Sequence, residues 1–278
     1  MRKVYIEKYN AMCALGSSMG EIFENMKANR TGIENHDFIF GETKSFPVAK
    51  LKNSVFEEID RKSTLFNDVC LSFIKKSIAN VELELKNPKN LLILATTKGS
   101  ISDLSNVVES ASLSSTINYL QKELHCFNTP LLISNACISG IVALNYAHDL
   151  LKTKRYDKVI VCGADLIGNF VVSGFNTFQA LSNNPCTPYD ENRSGVSLGE
   201  AVAVAVVSAQ ESEIELLGGA SSNDANHISG PSRDGSGLAL AISKTINYAN
   251  CASFDLINAH GTATPFNDEM ESKAFNSL

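Results

Sequence analysis

The sequence predicts an α/β fold, a mostly parallel sheet covered by helices on both faces. Short, wholly apolar runs at 91–97, 131–134 and 158–165 read as buried strands, and segments whose apolar residues recur at helical spacing lie between them. A hydrophobic content of 44% over 278 residues is enough to fill a sizeable core.

In chain order, residues 4–6 read as a short first strand. Ser18-Met19-Gly20-Glu21 forms a capping box, with a helix running from it to about residue 29. An irregular stretch containing Pro47 follows. Leu65, Phe66, Val69, Phe73 and Ile74 mark a helix, and 91–97 a buried strand. A helix within 101–122, a strand at 131–134, a helix after Cys137 and a strand at 158–165 continue the alternation. The small and β-branched run at 201–208 suits a central strand. Beyond Glu211, Glu213 and Glu215, a Gly/Ser/Asn-rich loop (218–237) leads to another helix and a strand at 254–260. This division places one α/β half at 1–208 and the start of a second at 209–278, with no letter-level repeat and no Pro-rich linker.

The charge excludes some functions. Lys and Arg number 24 against 30 for Asp and Glu, and the net charge of -6 is spread without blocks. That gives no phosphate-neutralising surface, so nucleic acid is not an expected partner. The seven cysteines, at 13, 70, 126, 137, 162, 186 and 251, are odd in number and show neither CxxC nor Cys/His spacing. They read as reduced thiols with no metal site. No run of 18 apolar residues occurs, and none follows the basic start. The expectation is a soluble cytoplasmic protein with no signal peptide and no membrane contact.

Two segments carry chemistry. In SNACISG (134–140), a small-residue turn puts Cys137 between a strand and an apolar helix. On the first turn of that helix, unpaired N–H groups and the dipole would favour thiolate. The alternative is a small buried core thiol. In NAHGTATPFND (258–268), His260 ends an apolar strand and is followed by Gly, two Thr hydroxyls and Pro. The carboxyl ends of strands are where open α/β sheets place their sites. A thiolate and an imidazole on separate strand ends fit nucleophilic acyl transfer.

These residues resemble the β-ketoacyl-acyl carrier protein synthases of the elongating (type I/II) branch, with the thiolase fold layered α-β-α-β-α. SNACISG is similar to the family's Thr-Ala-Cys-Ser-Ser-Gly. GFNTFQALSNNPCTPYDENRSGVSLGEA (174–201) is similar to Gly-Phe…Ala-Leu…Pro-Phe-Asp…Arg-Asp-Gly-Phe…Gly-Glu-Gly-Ala. NDANHISGPSRDG (223–235) resembles Asp-Ala-x-His-x-Thr-x-Pro…Gly, and NAHGTATPFND the motif of the first catalytic His.

The resemblance implies that Cys137 takes an acyl chain as a thioester from acyl carrier protein. Malonyl-carrier protein then loses carbon dioxide and its carbanion attacks that thioester, with His260 stabilising the enolate oxygen. Thr262, Thr264 and Ser229 would bind the phosphopantetheine arm, with no covalently bound cofactor. Phe175 falls in a loop that gates the acyl pocket in the family, or else packs in the core. Glu200 would support the site. Glu271 stands where the family pairs a Glu with a catalytic Lys. The implied partners are acyl carrier protein and a second ketosynthase subunit, as homodimer or heterodimer, through the sheet edge near the strand before Cys137.

Departures from the pattern are Asn135 and Ile138 around Cys137 and Ser194 in the Arg-Asp-Gly motif. No His follows His260, and the stretch in which the resemblance would place the catalytic Lys and a second His is not in this sequence, so the second half is expected to be incomplete and Glu271 to lack its Lys partner. Two further readings stand beside the synthase: a non-catalytic chain-length-factor-type partner, and a Cys-His hydrolase.

Overall fold

A computed structural model describes residues 2–79, 81, 83–103, 111–224, 226, 230–251 and 253–277. The chain packs as two units assembled from discontinuous segments. The first comprises Met1–Ile33, Ala49–Phe170 and Gly199–Leu217, and the second Glu34–Val48, Val171–Leu198 and Gly218–Leu278.

The first unit starts with β1 (Tyr5–Cys13), α1 (Met19–Lys27), α2 (Asn53–Glu57) and α3 (Leu65–Ile78). The second unit contributes the hairpin β2 (Glu34–Phe40) and β3 (Glu42–Val48) between them in sequence. Next come β4 (Asn90–Ala95), α4 (Leu113–Glu123), β5 (Leu131–Ile133), α5 (Ser139–Lys152), β6 (Lys158–Asp165), α6 (Asn169–Thr177) and β7 (Ala201–Ser208). Strand order is β1-β7-β6-β4-β5. β4 runs parallel to β5 and β6, whereas β7 is antiparallel to both β6 and β1. The sheet is therefore mixed where the sequence predicts a mostly parallel one. Apolarity along a strand reports burial of its faces, and burial is the same whichever way the strand runs.

Strand residues alternate between two cores, as a two-residue side-chain period demands. Leu92, Leu94, Ile160, Cys162 and Val204 pack with Phe66, Val69, Cys70, Phe73 and Ile74 of α3 and Leu120 of α4. Leu91, Ile93, Val159 and Val161 pack on the other face with Ala143, Ala147, Leu150 and Leu151 of α5. This unit is thus one sheet between two helical layers. Helix starts follow the capping chemistry: the Ser18, Thr64 and Ser112 hydroxyls accept from backbone N–H groups three residues on. In the predicted capping box, the Glu21 carboxylate takes the N–H of Ser17 rather than that of Ser18.

The second unit holds the β2–β3 hairpin, α7 (Ser236–Ala249) and α8 (Pro265–Asn276). The hairpin replaces the expected irregular stretch. Its link is Gly41, at φ +94, and Pro47 is tolerated because this sheet has only two strands. Gly235, at φ +73, starts α7, and a Cβ there would lie 2.7 Å from the Met270 carbonyl of α8. Residues 254–260 form no strand, contrary to the sequence pattern, and Phe254, Leu256 and Ile257 are exposed. A strand exists only by pairing, and no described strand pairs with this segment.

Candidate active site

Cys137 lies between β5 and α5, and the chain makes a tight turn there. Ala136 sits at φ +47, a left-handed conformation that is strained for a residue with a Cβ. The Ser139 hydroxyl locks the turn, accepting the Asn135 N–H at 2.8 Å and donating to the Ala136 carbonyl at 2.6 Å. Ile138 is the N-cap, so Cys137 precedes the cap instead of lying on the first helical turn as the sequence suggests. Cys137 is solvent-exposed, which excludes the core-thiol reading.

The strand ends beside this turn are tied together by one carboxylate. Asp165, ending β6, accepts from the Thr97 N–H at 3.1 Å, the Thr97 hydroxyl at 2.8 Å, the Thr96 hydroxyl at 3.1 Å and the Lys98 ammonium at 2.9 Å. The Thr96 N–H donates to the Ile133 carbonyl, and the Ser134 hydroxyl to the Thr97 carbonyl. The sequence analysis missed this cluster; its only signal is TTK after one apolar strand and Asp at the end of another.

Glu200 is buried, and its carboxylate accepts the Leu51 and Ile167 N–H groups, each at 2.9 Å. Bonding to two loops satisfies a charge that would otherwise be costly to bury.

In the second unit, His260 is exposed on a loop anchored by the buried Glu271 of α8. One Glu271 oxygen accepts the His260 N–H at 2.8 Å. The other accepts the Gly261 N–H at 2.9 Å, the Tyr189 hydroxyl at 3.0 Å and the Asn267 amide at 2.9 Å. Glu271 therefore has four donors, two of them backbone N–H groups of the His260 loop, and the Lys that the resemblance pairs with such a Glu is not one of the four. Burial, and then the Glu271 carboxylate, push the Tyr189 phenol well above its ordinary pKa. Tyr189 and Asp268, whose carboxylate accepts the Tyr189 N–H at 2.7 Å, also escaped the sequence analysis.

The Thr262 and Thr264 hydroxyls are 2.8 Å apart on the same loop. Phe175 lies half-buried in α6, in a helix rather than the expected loop. Ser229 falls outside the described residues. A cavity of about 260 Å³ beside α1 and α3 is lined by Met12, Lys52, Phe73 and Lys76 among others, and by none of the predicted site residues. Among the described residues no group of three His, Cys, Asp or Glu side chains is placed to hold a metal. None of their helices is long and apolar enough to cross a membrane.

An exposed thiol thus stands at a strand-to-helix turn in the first unit, and an exposed His on a carboxylate-anchored loop in the second. Residues 95–213 match the family described as "Beta-ketoacyl synthase, N-terminal domain", and 214–278 match "Beta-ketoacyl synthase, C-terminal domain". The chain belongs to the β-ketoacyl synthase family. The ketoacyl synthase alpha subunit of the tetracenomycin polyketide synthase of Streptomyces glaucescens is 35% identical over 162 residues, covering 52% of this chain and 38% of that protein. 3-Oxoacyl-[acyl-carrier-protein] synthase 2 of Staphylococcus aureus is 30% identical over 155 residues, covering 50% of this chain and 38% of that protein. The match thus spans under two fifths of the length of either curated relative.

Solved structures share the fold. The Xenorhabdus doucetiae ketosynthase (ApeO) in complex with its chain length factor (ApeC) superposes with TM-score 0.83 at 24% identity, over 100% of this chain and 76% of that one. A β-ketoacyl synthase from Burkholderia phymatum gives 0.79 at 22%, over 100% and 78%. The fold is the thiolase-like α/β fold of the ketosynthases.

Proposed function

We propose that the protein acts as a 3-oxoacyl-[acyl-carrier-protein] synthase, performing decarboxylative Claisen condensation between a Cys137-bound acyl group and malonyl-acyl carrier protein. The observation that carries this reading is the presentation of Cys137, an exposed thiol on a turn held by Ser139 with Ala136 forced left-handed. Core cysteines need no such device. In this reading residues 1–208 form the first half of the fold with the nucleophile, and 209–278 begin the second half with the catalytic His.

His260 acts on the developing enolate oxygen. Glu271 fixes the His260 backbone and Glu200 braces the first unit. Thr262 and Thr264, with Ser229, meet the phosphopantetheine arm that carries the substrate, and Phe175 contacts the acyl chain. The partners are acyl carrier protein and a second ketosynthase-type subunit. β5, an edge strand in the sheet order, offers the surface for that subunit. Lys152, Lys154 and Arg155, after α5, are the basic residues proposed to meet an acidic carrier protein.

A second reading, a non-catalytic partner of the chain-length-factor kind, is favoured by Ile138, a half-exposed apolar residue where the resemblance expects Ser. Intact-protein mass spectrometry after incubation with an acyl-carrier-protein thioester separates the two. An acyl adduct that is absent in Cys137→Ala supports the synthase. No adduct on the wild-type chain supports the partner.

A further inference from the structure

The group that the mechanism leaves unused is the Lys98–Asp165 pair. Its side chains are 19% and 28% exposed, so it is partly shielded from water. Lys98 follows β4 and Asp165 ends β6, both at the carboxyl ends of parallel strands, and β5 leads from the same edge into the Cys137 turn. β4 and β5 remain bonded past their last paired residues, through Thr96 to Ile133 and Ser134 to Thr97. With neighbouring strands about 4.8 Å apart, the pair stands roughly one to two strand spacings, some 10 Å or less, from the start of that turn. That is within one Debye length.

We propose that Lys98 and Asp165 are positioning residues that set the electrostatic potential at the Cys137 turn and thereby the ionisation of its thiol. This rests on Cys137 being the nucleophile. Together the two charges cancel at long range. Lys98 thus keeps a carboxylate, which the ends of β4 and β6 need for their hydrogen bonds, from opposing thiolate formation a short distance away. The carboxylate accepts from two Thr hydroxyls and one backbone N–H, so its place is fixed by the strand ends, and the ammonium is the compensating partner.

Several other ionisable side chains on the surrounding elements accept backbone N–H groups or stand in the later turns of their helices. Glu200 is held by the Leu51 and Ile167 N–H groups, and Asp68 of α3 by the Lys62 and Ser63 N–H groups. Lys75 and Lys76 lie in the last turn of α3, Lys122 and Glu123 at the end of α4, and His148, Asp149 and Lys152 in the second half of α5.

The experiment is the pH dependence of iodoacetamide alkylation at Cys137, followed on its own peptide by mass spectrometry in the full chain. It uses no carrier protein, so its outcome is read separately from the acyl-adduct test of the synthase reading. Lys98→Met should raise the midpoint by roughly 0.3 of a pH unit at low ionic strength and Asp165→Asn should lower it by a similar amount, the size expected for one unit charge at roughly 10 Å in a largely aqueous medium. Lys98→Arg should restore the wild-type midpoint. High salt should shrink both shifts.

Opposite shifts establish the electrostatic role, because a structural disturbance would move both variants the same way. Shifts of the same sign, or midpoints unchanged in both, overturn the proposal. If Asp165→Asn unfolds the strand ends, Lys98→Met against Lys98→Arg decides it alone, equal midpoints in the two refuting it.

Discussion

Glu271 is the most exacting test of the His260 loop. Its two oxygens accept four donors, two of them the backbone N–H groups of His260 and Gly261. Glu271→Gln preserves the shape and one oxygen. If that oxygen stays on the His260 N–H, an amide NH2 then faces the Gly261 N–H, which loses its acceptor. A hydrogen bond to a charged acceptor contributes about 1.5–3 kcal/mol, and a buried donor left without a partner costs a similar amount. About 2 kcal/mol corresponds to roughly 30-fold in local opening, since each 1.4 kcal/mol is tenfold. Hydrogen exchange of the 258–264 segment should therefore speed up by roughly that factor, while exchange in β4 and β6, which belong to the other unit, stays at its wild-type rate. Alkylation of Cys137 should also be unaffected. Unchanged exchange at His260 and Gly261 in Glu271→Gln would refute the claim that this carboxylate holds the loop.

Three other outcomes follow from the same geometry. Glu200→Ala leaves the Leu51 and Ile167 N–H groups without their acceptor and should destabilise the first unit by about 2–4 kcal/mol in urea titration, a loss under about 0.5 kcal/mol contradicting the brace. Leu120→Ala empties a fully buried position between α4 and the sheet and should cost about 2–5 kcal/mol by the same titration. Burial raises the Cys126 thiol to about 11, so at pH 8 it is almost wholly protonated. Its alkylation should lag well behind that of the exposed Cys137 and climb only as pH approaches that value; equal rates at pH 8 would count against it.

Most of the first unit was legible in the sequence because its elements are declared locally. The apolar runs of β4, β6 and β7 register burial, with their short length and β-branched content marking strands, and the spacing of Leu65 to Ile74 marks a helix by its period. Ser18 and Glu21 mark the start of α1 for the same local reason. The turn of small residues around Cys137 was legible too, because it is a short-range pattern, and the exposure of Cys137 and His260 is what the structure adds to the roles proposed for them.

What only the tertiary structure decided involves partners far apart in the chain. β7 runs against its neighbours, and residues 34–48 form a hairpin, because strand direction and pairing depend on which backbone groups meet across space. The segment at 254–260 has a strand's composition but no described partner, so it forms no strand. Asp165 gathers Thr96, Thr97 and Lys98 from nearly 70 residues away, and Glu271 holds a loop that also needs Tyr189, 82 residues earlier. A carboxylate's role is set by the donors that folding brings to it, and no local pattern encodes which donors those will be.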